Sequence, residues 1–259
     1  NTSGCTSASK PARPACRRYT EHICPGLPSA RVFGHNAPMS TDLAIAATAA
    51  RLVVEEGLEY AAAKRRALKE LGLPARTPLP DNDQLEDAVH EHIALFCQDT
   101  QPRELAALRE LALWWMQRLQ AFEPLIGGAV WRGTATRLND IYLQLFTDDP
   151  KAVEITLLDQ RIDYDVSRVS GLHGHAVDAL SIHAWCEGLQ EEVGVHLLVN
   201  PVQAQRGSLL NDARGRPLRG TAARLQALQA LQALQALQAL QAEAEAEAES
   251  NNTPQHPPA

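Results

Sequence analysis

The chain has 259 residues, of which 45% are hydrophobic and 21% are charged, and its formal net charge is -7. This length predicts one sizeable domain with accessory segments, or two small domains. The negative charge argues against a protein that holds nucleic acid through a general basic surface. No stretch approaches 18 consecutive apolar residues, so neither a transmembrane helix nor a membrane partner is predicted. The five cysteines include no Cys-x-x-Cys pair, which favours free thiols and a cytoplasmic location.

The N-terminal segment, residues 1–38, differs in composition from the rest of the chain. It is rich in proline, serine and arginine and contains five basic residues but one acidic residue. This composition predicts a disordered tail, or upstream sequence in front of a native start at Met39. A basic nucleic-acid-binding arm is the alternative.

Residues 39–122 form a predicted helical region with four amphipathic segments. Capping residues, glycines and prolines mark their ends. The predicted helices run from a Ser40 or Thr41 cap to Gly57, from 59 to 71, from an Asp81 or Asp83 cap to Cys97, and onward from Pro102.

Residues 123–220 combine predicted strands and helices. The pattern predicts a strand that begins beside Asp140, a helix from Asp149-Pro150 to Gln160, and strands at 162–169, 176–183 and 193–199. The strands at 162–169 and 176–183 are expected to form a hairpin. Helices followed by a run of strands predict an α+β fold.

The C-terminal segment, residues 221–259, contains a Leu-Gln-Ala repeat followed by an Ala-Glu alternation. Successive residues of an α-helix are about 100° apart, so leucines three residues apart drift by about 60° per repeat. This drift leaves no fixed apolar face and disfavours a coiled coil. We expect a low-complexity segment without chemistry whose last nine residues are disordered.

The stretch from 127 to 146, GGAVWRGTATRLNDIYLQLF, has the strongest functional signal. Its glycines, Gly127, Gly128 and Gly133, allow backbone N–H groups to approach a phosphate, and Arg132 adds positive charge beside them. The glycine-rich segment therefore predicts a nucleotide-binding turn.

Asp140 begins the strand that follows this turn. Side chains alternate along a strand, so Asp140, Tyr142 and Gln144 are expected to face a cleft while the apolar residues between them face the core. A carboxylate in this position can hold Mg²⁺ against bound phosphates. Metal-assisted phosphoryl transfer usually uses at least two carboxylates, and Asp178 is the second candidate.

The order of these motifs resembles the signature of the polymerase-beta-type nucleotidyltransferase superfamily, in particular its small bacterial members. The matching residues are Gly127-Gly128, Arg132-Gly133, Ala135, Asn139-Asp140, Ile141 and Leu143, with Asp178 in the place of a third carboxylate. The resemblance implies a mixed β-sheet flanked by helices. It also implies Mg-dependent transfer of a nucleotidyl group from an NTP to the hydroxyl of an unknown acceptor, which is a protein, an RNA or a small molecule.

The resemblance assigns each site residue a role. Asp140 and Asp178 are the implied catalytic and metal-binding residues, and Gly127, Gly128, Arg132 and Gly133 are the implied nucleotide-binding residues. Tyr142 stands where the family has its second metal-binding acid, and a neutral phenol is a poor ligand for Mg²⁺. The alternative function is therefore that of a degenerate, non-catalytic member that binds a nucleotide or a protein partner.

Two other enzyme classes are disfavoured. The chain lacks a P-loop motif, which argues against a Mur-type amino-acid ligase. Ser181 and His183 lie close in sequence but are not accompanied by a nucleophile elbow, so a hydrolase triad is not predicted.

Overall fold

A computed structural model of the chain describes residues 40–251, which form two compact units. The first unit ends at Phe96, and the second begins at Cys97. The expectations for residues 1–38 and for the last residues of the chain lie outside the described range. Within residues 40–251, the helices are all too short or too polar to cross a membrane.

Within residues 40–96, the first unit contains three α-helices, α1 (Thr41–Glu56), α2 (Tyr60–Glu70) and α3 (Asn82–Phe96), and α1 contacts the other two. The ends of α1 and the start of α3 confirm the predicted caps. The Leu43 amide donates to Ser40 Oγ at 3.4 Å, and the Gln84 amide donates to Asp81 Oδ1 at 2.7 Å. Gly57 ends α1 with a φ of 68°, a backbone conformation that favours glycine.

From residue 97 to residue 251, the second unit contains four α-helices and five strands. In chain order they are α4 (Gln101–Arg118), β1 (Leu125–Gly127), α5 (Gly128–Arg132), β2 (Ile141–Phe146), α6 (Pro150–Asp159), β3 (Asp165–Ser170), β4 (Ala176–Cys186), β5 (Glu191–Asn200) and α7 (Ala222–Asn251). The strands form one mixed sheet in the order β1-β2-β5-β4-β3. Strands β2 and β5 are parallel, and the other neighbours are antiparallel.

One face of this sheet, called here the core face, packs against helices. Alternate residues of β2, β4 and β5 point to it, as the strand period requires, and they are buried with apolar residues of α4 and α6. The main contributors from the strands are Ile141, Leu143, Leu145, Leu180, Ile182, Val193, Val195 and Leu197. The opposite face, called here the open face, carries Asp140, Tyr142, Gln144, Ser181 and His196.

The α+β fold class is confirmed, with a mixed sheet flanked by helices. The predicted hairpin of β3 and β4 is present, although β3 begins at Asp165 and β4 extends to Cys186. The helical region was predicted to extend to residue 122, whereas α4 belongs to the second unit and packs on the sheet. The three-residue strand β1 was not predicted, because it is too short to show an alternation.

Helix α7 explains what happens to the Leu-Gln-Ala repeat. Leu225 is fully buried and Leu228 is partly buried against the core, and Arg109 Nη1 on α4 donates to Gln232 Oε1 at 2.6 Å. Leu231 and Leu234 are each more than half exposed. The buried leucines therefore lie at the start of the helix, and the first repeats are part of the folded body rather than a free tail.

Candidate functional site

Four residues from four neighbouring strands form one row across the sheet. Gly127 of β1 pairs with Tyr142 of β2, Tyr142 pairs with His196 of β5, and His196 pairs with Ser181 of β4. Paired residues of adjacent strands share a face, so the three side chains all lie on the open face. The row joins the predicted glycine turn to polar residues more than 50 positions further along the chain.

Asp140 lies beside this row, and its carboxylate contacts two residues of β5. The Gly194 amide donates to its Oδ1 at 3.2 Å, and its Oδ2 lies 3.2 Å from Nε2 of His196. A Cβ atom at position 194 would lie 2.7 Å from the carboxyl group of Asp140. Glycine is therefore the residue at 194 that allows Asp140 to reach β5.

His196 links Asp140 to Ser181. Its Nδ1 lies 2.9 Å from Ser181 Oγ, and the Tyr142 ring stacks on it with a centroid distance of 4.8 Å and an interplanar angle of 28°. These contacts assign the tautomer in which Nε2 of His196 carries the proton and donates a hydrogen bond to Asp140. Nδ1 then accepts a hydrogen bond from the Ser181 hydroxyl. The result is a continuous hydroxyl–imidazole–carboxylate chain on a partly exposed surface.

The glycine turn lies at the edge of the same face. Gly128 follows β1 with a φ of 69°, and a Cβ atom there would lie 3.8 Å from the Tyr142 ring. Gly133 ends α5 with a φ of 87°. Both positive φ angles require the conformational freedom of glycine, which agrees with the turn predicted from the sequence.

Two arginines flank the turn in different ways. Arg132, a predicted nucleotide-binding residue, forms an ion pair of 2.9 Å with Asp212, which also accepts hydrogen bonds from Arg216. Burial alone would raise the pKa of Asp212, but hydrogen bonds from Arg216, Arg132 and Arg214 hold it well below its usual range. The positive charge of Arg132 is therefore balanced by Asp212, which stays ionised at neutral pH.

Arg219 lies against the glycine turn. A Cβ atom on Gly127 would lie 3.5 Å from Arg219 Cγ, and Nη1 of Arg219 donates to the Ser208 carbonyl at 3.3 Å. Burial lowers the pKa of its guanidinium. An arginine stays protonated in proteins despite such a shift, so Arg219 brings a partly buried positive charge to the glycine turn.

Asp178 is not part of this cluster. It pairs with Val199 and therefore points to the core face, where its carboxylate accepts from Arg168 Nε at 3.2 Å. Asp140 lies beside Gly194, five residues away along β5, which corresponds to about 16 Å at roughly 3.3 Å per residue. The fold thus separates the two aspartates both by face and by distance.

The expected Mg²⁺ site does not fit this arrangement. Asp140 is the one candidate carboxylate beside the turn, and its neighbours on the open face are an imidazole and a phenol ring. Among residues 40–251, no three His, Cys, Asp or Glu side chains converge to hold a metal ion. A metal shared by Asp140 and Asp178 is therefore not supported by the residues present.

Sequence reasoning missed the roles of His196 and Arg219. His196 is a single polar residue in the apolar segment VGVHLLV, a signal that marks an unusual strand position without naming its partner. Ser181 was considered with His183, but its hydrogen-bond partner is His196. No model of a known protein family matches the sequence, and no curated protein matches it.

Proposed function

We propose that the second unit is a nucleotidyltransferase-like module that binds a nucleotide, such as an NTP, at the glycine turn without two-metal catalysis. The observation that carries this proposal is the separation of the carboxylates. Asp140 lies two residues before Tyr142, the strand partner of Gly127, whereas Asp178 points to the opposite face. A phosphoryl-transfer site needs charges that converge on the reacting phosphate, and Asp178, the second candidate carboxylate, points away from Asp140.

The open face offers complementary groups for such a ligand. Arg219 provides a positive charge beside the turn, the positive-φ glycines keep side chains away from the backbone, and the exposed Tyr142 ring provides a flat surface for a base or sugar. These groups bind and orient a ligand without a covalent step. A cytoplasmic location is part of the proposal, because NTPs are abundant there and Cys97 and Cys186 are free thiols.

Nucleotide binding is tested by thermal shift with ATP, GTP, CTP and UTP, each with and without Mg²⁺. We expect one or more nucleotides to raise the Tm of the wild type, since a ligand at 100 times its Kd stabilises by about 2.7 kcal/mol. Arg219→Gln should weaken binding at least tenfold. Arg224→Gln removes an equal charge from an exposed position nearby and should leave binding unchanged. A wild type that shows no shift with any nucleotide contradicts the proposal.

Catalysis is tested separately with labelled NTPs and Mg²⁺. We expect no label on the protein itself or on proteins and RNA of a cell extract. Label that appears with the wild type and disappears in Asp140→Asn would instead establish the transferase with its acceptor. The two assays thus distinguish a binding module from an enzyme.

A second candidate function is favoured by the chain from Ser181 through His196 to Asp140. An imidazole fixed by a carboxylate can accept the proton of a serine hydroxyl as that oxygen attacks an acyl group. A fluorophosphonate probe tests this, because the oxygen of an activated Ser181 displaces fluoride from phosphorus, HF is lost, and each chain gains the mass of one probe less HF. Ser181→Ala should abolish the addition, and Ser167→Ala, a serine of β3 on the same face, should not. An unlabelled wild type rejects this candidate.

A further inference from the structure

A cleft between α4 and the end of β4 contains an unusual concentration of tryptophan. The chain has four tryptophans, and three of them, Trp114, Trp115 and Trp185, line this one cleft of about 460 Å³. A cleft of this size lies within the range of about 300–1,000 Å³ seen for small-molecule sites. It is separate from the glycine turn, whose residues do not line it.

One of these tryptophans is buried, and the other two are exposed to solvent in the cleft. Trp115 is buried and packs edge to face against Trp114, with ring centroids 5.1 Å apart. Trp114 and Trp185 are 48% and 53% exposed. Large aromatic rings exposed together in a concave site usually mark a binding surface, because their burial by a partner is strongly favourable.

Charged groups at the cleft determine what kind of partner fits. Two carboxylates, Glu110 and Glu187, and one guanidinium, Arg118, line it, so these groups carry one net negative charge. The guanidinium lies 4.8 Å from the Trp114 ring centroid and also donates to Gln160. Among the residues that the structure describes, the Glu110 side chain makes no hydrogen bond or ion pair, so its carboxylate is available to a ligand.

We propose that this cleft binds a small organic cation that contains an aromatic ring, such as an arylalkylamine. The ring packs against the exposed indoles, and the ammonium group is paired by Glu110. Because Arg118 already lies over Trp114, the cation is further stabilised by the face of the Trp185 ring, an interaction of about 0.5–2 kcal/mol in proteins. An arylalkyl carboxylate of the same shape would place its negative charge beside Glu110 and Glu187 and should bind more weakly.

The proposal is tested with phenethylamine and phenylacetate, which share a ring and differ in charge. Indole N–H signals in ¹H–¹⁵N spectra report on each tryptophan, and Trp131, whose Nε1 donates to the Pro217 carbonyl outside the cleft, is an internal control. We expect phenethylamine to shift the Trp114 and Trp185 signals but not that of Trp131. Phenylacetate should bind at least tenfold more weakly.

Two variants locate the contacts. Glu110→Gln should reduce phenethylamine affinity at least fivefold, whereas Glu91→Gln, the same change at an exposed position of the first unit, should have no effect. Trp185→Ala should weaken binding at least tenfold. The proposal is overturned if phenylacetate binds as well as phenethylamine, or if neither binds. It is also overturned if sedimentation shows that the wild type self-associates and Trp185→Ala is monomeric, because the cleft would then be an interface between copies.

Discussion

The two faces of the five-stranded sheet use the same strands for different purposes. The core face is apolar and closed by helices, while the open face carries the chain of hydrogen bonds from Asp140 through His196 to Ser181. Leu143 and Tyr142 are neighbours in β2, yet the first is fully buried and the second is 37% exposed. Alternate residues of one strand therefore serve different roles: those on the core face stabilise the fold, and those on the open face are available to a ligand. Substitutions on the two faces should have different effects.

The largest expected effect is that of Leu143→Asp compared with Tyr142→Asp. The first places an unpaired carboxylate in the core, which costs about 3–5 kcal/mol and approaches the whole stability of a small domain. The second places the same group on the open face and should cost no more than about 1 kcal/mol. Urea unfolding followed by tryptophan fluorescence measures both. Equal losses would contradict the assignment of the two faces.

Two leucines of the α7 repeat test whether the start of this helix packs against the core. Leu225→Ala removes a fully buried side chain and should cost about 2–4 kcal/mol, as buried leucine truncations do. Leu234→Ala changes a leucine that is 53% exposed and should leave the unfolding midpoint unchanged. If both variants behave alike, α7 does not dock in the way described.

The edge of the sheet at β1 offers a comparison between two glycines. A Cβ atom on Gly220 would lie 2.1–2.7 Å from atoms of the Trp131 ring, so Gly220→Ala overpacks this site and should cost about 1–3 kcal/mol. A Cβ atom on Gly127 meets its nearest neighbour at 3.5 Å, and the backbone there is extended. Gly127→Ala should therefore preserve the Tm, and a loss as large as that of Gly220→Ala would show that the turn is more tightly packed than observed.

The smallest expected effect concerns Asp212, in the loop beside the open face. Because the pKa of Asp212 is depressed in the folded chain, its contribution to stability is present above its unfolded pKa of about 3.9 and is lost as pH falls below it. Asp212→Asn should therefore lower the Tm at pH 7, and the difference from wild type should shrink below about pH 4. Thermal melts between pH 3 and pH 7 measure this, and a difference that does not vary with pH would exclude the ion pair with Arg132 as its cause.

The elements that were predicted correctly have local signals. The caps at Ser40 and Asp81, the proline at the start of α6 and the alternation of β2 each depend on residues a few positions apart. The glycine turn at Gly128, where φ is positive, also has a local signal, because a turn and its glycine are neighbours in sequence. Such features are readable from the chain without knowledge of its tertiary contacts.

The arrangement of the candidate site was not readable in this way. The segment AVDALSIH has apolar residues in both alternating positions, so its sequence does not say which face Asp178 occupies. The pairing of β5 with both β2 and β4 decides that question, and it brings His196 to Asp140 from 56 residues away. Sheet order and strand register are long-range properties, which is why the predicted aspartate pair and the observed Asp140–His196 pair differ.

The number of Leu-Gln-Ala repeats in α7 can vary without a change in the folded domain. This helix contacts the rest of the second unit through residues near its start, among them Leu225, Leu228 and Gln232. Whole Leu-Gln-Ala triplets added or removed after Gln232 keep these three residues in register with α4. Variation in the number of triplets therefore alters the reach of the helix beyond the domain while leaving the docked end as it is.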